Sequence, residues 1–166
     1  MSVSPGLSPV NIHGTGVLLG GTGVLIRGPS GAGKSLLALE LLEREALRGR
    51  SGQLIGDDRL DVSVEGGSLV MRGPANIAGL IELRGRGIVE RPFAPEAPVH
   101  LVVDLVETLV RMVEEAELET DILGVTVPRC PVPRRGVIDA AHQLLLVWEA
   151  MAALGTQPRA GRQKTT

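Results

Sequence analysis

The chain has 166 residues, 43% of them apolar, enough for one domain with a sizeable core and too apolar for a disordered chain. Aromatics are 1%, Phe93 and Trp148 with no tyrosine, so base stacking on single-stranded nucleic acid has almost nothing to work with. A formal charge of -2 gives no general attraction to nucleic acid or acidic membrane, and the lone Cys130 excludes an internal disulfide and a thiol-built zinc site.

In chain order, residues 1–8 are small and polar and read as a loose start, ahead of one domain over 9–155. VNIHG (10–14) reads as a short strand, and GVLL (16–19) and GVLIRG (23–28) as a hairpin broken at Gly-Gly-Thr. From Lys34 to Leu47 the leucines recur at helical spacing, and Gly49 and Gly52 stop that helix. SGQLIGDD (51–58) has the apolar centre of a buried strand ending in two acids, and residues 60–73 alternate around Glu65-Gly66-Gly67 as a hairpin does. The Gly- and Arg-rich stretch 74–93 fits no simple pattern, and neither do residues 108–117. HLVVDLVE (100–107) and ILGVTVP (122–128) read as strands, CPVPRRG (130–136) as a loop, and residues 137–154 as a helix closed by Gly155. The tail 156–166 reads as disordered. Nothing reads as a leader or a bilayer span, so a soluble cytoplasmic α/β domain is expected, its mixed sheet covered by helices.

Gly28-Pro29-Ser30-Gly31-Ala32-Gly33-Lys34-Ser35 fits G-x-x-x-x-G-K-[ST] without a mismatch, between an apolar strand and an amphipathic helix. Glycines let successive N–H groups turn inward onto phosphate oxygens, and the helix start adds partial positive charge. Lys34 can reach the β- and γ-phosphates of a nucleotide, and the Ser35 hydroxyl can ligate Mg²⁺. The base is unread; N-K-x-D, a guanine signature, is absent, and adenine is the default.

Phosphoryl transfer to a hydroxyl also wants a carboxylate to take its proton. Asp57 and Asp58 end a strand where they can face the cradle, or are ordinary turn acids. Asp104, inside a β run, competes with them for the metal. Glu82, between Ile81 and Leu83, lies opposite two buried residues if its segment is a strand, and is otherwise a solvated acid. Arg84 and Arg86 form a short cationic strip that either meets phosphate or an acidic partner, or lies in a solvated turn. His13, His100 and His142 carry no signal in their spacing.

Taken together, His13-Gly14, GTGVLIRGPSGAGKS (21–35), LIGDD (54–58) and ELRGRG (82–87) resemble, in order and in gaps, the catalytic domain of bacterial HPr kinase/phosphorylase. The resemblance spans about residues 9 to 153 and is closest to the short alphaproteobacterial-type form lacking the family's N-terminal domain. It implies a P-loop domain of the HPr kinase type, akin to the PEP carboxykinase fold. It also implies an ATP-dependent protein serine kinase whose acceptor is a serine of the carrier protein HPr. By the same resemblance Gly28 to Ser35 bind ATP, Ser35 and Glu82 hold Mg²⁺, and Asp58 takes the serine proton. His13, Lys34 and, more loosely, Arg111 match its other active-site positions, and a homo-hexamer is implied. Two departures stand out. The family loop P-V-R-P-G-R-N, tied to dephosphorylation, is here Pro131-Val132-Pro133-Arg134-Arg135-Gly136, and Leu36 stands where the long form often has Glu. Rival readings are a small-molecule P-loop kinase and a nucleotide-binding regulatory module without turnover.

Overall fold

The computed structural model describes residues 8–155, so the expected loose start (except Ser8) and the expected tail lie outside the described residues. Eleven strands and two helices follow one another: β1 (Val10–Leu19), β2 (Thr22–Arg27), α1 (Lys34–Leu47), β3 (Gly52–Gly56), β4 (Arg59–Glu65), β5 (Ser68–Arg72), β6 (Leu80–Leu83), β7 (Gly87–Glu90), β8 (Glu96–Pro98), β9 (Leu101–Val106), β10 (Glu119–Ile122), β11 (Val125–Pro133) and α2 (Ala140–Leu154).

The main sheet runs β10-β11-β9-β2-β1-β4-β5-β8, with β3 also on β1, and β6 and β7 form a separate hairpin. β9 lies parallel to β2 and to β11 and the other pairs are antiparallel, which is the mixed α/β architecture expected. β1 is the hub. Its first four residues pair with β4, and Gly16–Leu19 pair with β3 on one side and β2 on the other.

Period-2 alternation puts successive residues of the central strands into different cores. Val24, Ile26, Val103, Leu105 and Val132 pack under α1 and α2, against Leu37, Leu41, Leu144 and Val147. Leu25 and Val102 face the other way, into a second core with Leu60, Val62, Leu69 and Met71 of β4 and β5. Both cores are almost purely aliphatic, as the composition requires.

Several boundaries differ from expectation. Residues 10–19 form one continuous strand, not two. The stretch 122–128 is the end of one strand and the start of another, turning at Leu123-Gly124 with φ of 51° and 79°, the primed-turn geometry. The supposed loop at 130–136 continues β11 as far as Pro133. Finally, α2 starts at Ala140 because Asp139 is its N-cap, its carboxylate accepting from the His142 amide at 2.9 Å.

Candidate active site

The P-loop joins the end of β2 to the start of α1. Gly31 and Gly33 have φ of 81° and 95°, left-handed conformations that a side chain would strain. No side chain caps α1, so its first amides are left for a ligand, and Lys34 to Leu36 line a cavity of about 480 Å³. That volume lies within the range of small-molecule sites. The Lys34 side chain, 8% exposed, folds back and donates to the carbonyls of Gly28 (2.8 Å) and Pro29 (3.1 Å).

Acids close the other side. Asp57 follows β3 and its Oδ1 accepts from two hydroxyls, Ser35 Oγ at 2.7 Å and Thr15 Oγ1 at 2.9 Å. Its Oδ2 faces the Glu82 amide at 3.4 Å, which ties the β6–β7 hairpin to the loop. Thr15 is fully buried in β1. No spacing rule marks a threonine on a distant strand, and it was not among the residues expected at the site. Glu82 projects from β6 into the cavity, while Ile81 on the opposite face is 1% exposed.

Asp58 also lines the cavity, at its open edge, with its side chain 74% exposed. Its φ is 69°, in the left-handed region, and its carbonyl accepts from the Gly14 amide at 3.1 Å. His13 lies beside it, Nδ1 to Oδ1 at 3.8 Å. β1 therefore serves both acids from residues two apart, His13 at Asp58 and Thr15 at Asp57.

Arg84 reaches the cavity from the β6–β7 turn, but Arg86 does not line it. Arg135, from the loop between β11 and α2, does, and it was not among the expected site residues. Arg111 lies in the exposed segment 107–119 and is not part of the lining. Asp104 is likewise elsewhere. Arg27 Nε (2.7 Å) and Arg129 Nε (2.6 Å) occupy its two oxygens. Burial acts to raise the Asp104 pKa, but hydrogen bonds from Arg27 and Arg129 outweigh it and hold the carboxyl below its ordinary value. A carboxylate so engaged is no competitor for a cation in the cavity. His100 is structural: Nδ1 accepts from the Gly23 amide at 2.9 Å.

The donor set suits magnesium. Ser35, Asp57 and Glu82 offer hard oxygen atoms around one space, and among the described residues no cluster of three or more His, Cys, Asp or Glu forms a self-sufficient cage. Mg²⁺ is characteristically held by one or two carboxylates together with substrate phosphates.

Residues 7–163 match the family described as HPr Serine kinase C-terminal domain. The chain is 34% identical over 146 residues to an HPr kinase/phosphorylase from Mycoplasma mycoides, covering 80% of this chain and 44% of that protein. It is 36% identical over 139 residues to one from Treponema pallidum, covering 76% and 42%. The chain thus spans less than half the length of these relatives. A solved Hpr(Ser) kinase/phosphatase from Coxiella burnetii superposes with a TM-score of 0.70 at 26% identity, covering 90% of this chain and 99% of that one.

Proposed function

Because the chain belongs to the family of HPr serine kinase C-terminal domains, we propose that it is the catalytic domain of an ATP-dependent protein kinase that phosphorylates a serine of HPr. The observation that carries this reading is the position of Asp58. It stands at the rim of the phosphate cavity, 74% exposed, where a hydroxyl borne on another protein can meet it.

In this proposal Gly28, Pro29, Ser30, Gly31, Ala32 and Gly33 cradle the triphosphate, and Lys34 turns from the Gly28 and Pro29 carbonyls to the β- and γ-phosphates. Ser35 and Glu82 hold Mg²⁺, with Asp57 fixing the Ser35 hydroxyl from behind. When bound, the metal neutralises charge shared by the β- and γ-phosphates. The acceptor oxygen bonds to the γ-phosphorus as the bond to the bridging oxygen breaks. ADP leaves with that electron pair, and the serine proton passes to Asp58, with His13 positioned to orient the carboxylate. In the reverse, phosphorolytic direction Asp58 would return the proton. The loop 131–136 departs from the family pattern tied to that direction, so the proposal is for the forward reaction. For Arg111 the resemblance alone supports a role. A cytoplasmic enzyme, assembled from several copies as the family hexamer is, fits this substrate. No helix among the described residues is long and apolar enough to cross a membrane.

The test is transfer of labelled γ-phosphate from ATP to HPr, with the acceptor serine intact or changed to alanine. The expected result is phosphoserine on the intact carrier only. Asp58→Asn should keep nucleotide binding and slow transfer by about 10²–10⁴-fold, and Lys34→Ala should weaken both. Label in a low-mass acceptor, or tight ATP binding without turnover on HPr, would replace this reading with a small-molecule kinase or a regulatory module.

A further inference from the structure

Loose charge near a phosphate site is common; a guanidinium that is fixed and yet incompletely bonded is not. Arg135 has both properties. Its Nη2 is held by Glu40 Oε1 at 3.2 Å and Gln143 Oε1 at 3.4 Å. Gln143 is 2% exposed and is anchored in turn, its Nε2 donating to the Pro133 carbonyl at 3.0 Å. The loop backbone is pinned by Arg134 N to Val106 O (2.9 Å) and Val137 N to Arg134 O (3.0 Å). Yet Arg135 Nε is buried without any acceptor, the one such buried side-chain nitrogen or oxygen among the described residues. A native protein rarely leaves such a donor unmet, and a site awaiting its ligand is one of the few places where it does.

The rest of the side chain points to what that ligand is. The Arg135 side chain is 31% exposed, and it lines the same cavity as the P-loop, Asp57 and Asp58. An anionic oxygen entering there would meet a planar cation with one donor, Nε, that no protein acceptor holds. The other cations do not offer this. Lys34 is committed to the loop's own carbonyls until a phosphate arrives. Arg84 is exposed, on a turn flanked by Gly85, and no bond fixes its head. Arg111 is outside the lining.

We propose that Arg135 contacts the terminal phosphate of the bound nucleoside triphosphate, held in waiting by Glu40 and Gln143 and released onto the phosphate when the nucleotide binds. The inference rests on the reading of this cavity as a nucleotide site, and it is independent of which acceptor receives the phosphoryl group.

Calorimetric titration with Mg²⁺ and either ADP or a non-hydrolysable ATP analogue, with no acceptor present, tests it. Arg135→Gln should weaken the triphosphate on the order of tenfold or more while leaving ADP within about twofold, and Glu40→Gln should leave triphosphate affinity unchanged or raise it. Equal weakening of both nucleotides, or of neither, overturns the proposal. Phenylglyoxal modification of the wild-type chain, read by peptide mass spectrometry, needs no variant. The triphosphate analogue should protect Arg135 and ADP should not; equal protection by both, or by neither, also overturns it. Failure of the wild-type chain to bind either nucleotide would instead remove the nucleotide reading itself, so the two failures are distinguishable.

Discussion

Thr15→Val is the sharpest probe of how the phosphate loop is held. The substitution keeps the shape of a fully buried β1 side chain and deletes one donor, the hydroxyl 2.9 Å from Asp57 Oδ1. A hydrogen bond to a charged acceptor contributes about 1.5–3 kcal/mol. Here the lower end applies, because Asp57 keeps Ser35 at 2.7 Å on the same oxygen and is itself only half-buried, so water can replace part of what is lost. Burial of the new methyl offsets up to about 0.8 kcal/mol. A net loss of about 1 kcal/mol follows, a fall of roughly 2–4 °C in Tm for a domain of this size. The more telling quantity is the coupling to Ser35. With Ser35→Ala alone, Thr15 still serves Asp57; with both changed, Oδ1 has neither hydroxyl. Urea unfolding of the two single variants and the double should give an interaction energy of about 0.5 kcal/mol or more. Strict additivity, or a Thr15→Val midpoint equal to wild type, would refute the idea that one carboxylate gathers both hydroxyls in solution.

Three further outcomes follow from the packing. Asp104→Asn should cost about 1.5–3 kcal/mol at neutral pH, because the half-buried Arg27 and Arg129 lose the charged acceptor they share while water screens part of the loss. Because the folded Asp104 pKa is depressed, its contribution is complete above the unfolded carboxylate value and is lost as pH falls through the folded one; the variant should lose that part of the acid dependence in pH-resolved unfolding curves. Cys130 is buried, its Sγ facing the Leu146 carbonyl at 3.5 Å, and burial pushes the thiol up to about 11. Iodoacetamide at pH 8 should therefore leave it unlabelled in the folded chain and label it in urea, and rapid labelling of the native chain would contradict the packing. Gly23→Ala should abolish or severely weaken folding, since a Cβ there would lie 1.6 Å from the Pro98 carbonyl oxygen, and a normal melting curve would refute that contact.

What could be read from the amino acids was what neighbours in the chain decide. The Gly28–Ser35 loop, α1 from Lys34 to Leu47 and the hairpin around Gly66-Gly67 depend on local spacing and turn chemistry, and they appear where that chemistry puts them. The continuity of β1 did not show, because Gly14 and Gly16 look like breaks. They are small for a tertiary reason: a Cβ at either would come within 2.8 Å of Ile26 O or Met71 Sδ. Pro131 and Pro133 disguised the end of β11 in the same way. β10 pairs only as far as Pro128, so beyond it β11 has β9 on one side, and two prolines two residues apart put their missing donors on the open side. At the site, the cradle, the acids just after β3 and the acid on β6 sit within recognisable segments, whereas Thr15 and Arg135 come from elements whose approach only the folded sheet sets.

The strand that serves both acids also sets where the gene tolerates change. His13 pairs through β4 and Thr15 through β2, so a codon added between them would break the alternation that sets both on one strand and turn one of the two away from its acid. Extra length is better accommodated at the exposed Gly20-Gly21 tip, which lies past the last paired residue and would leave the pocket intact.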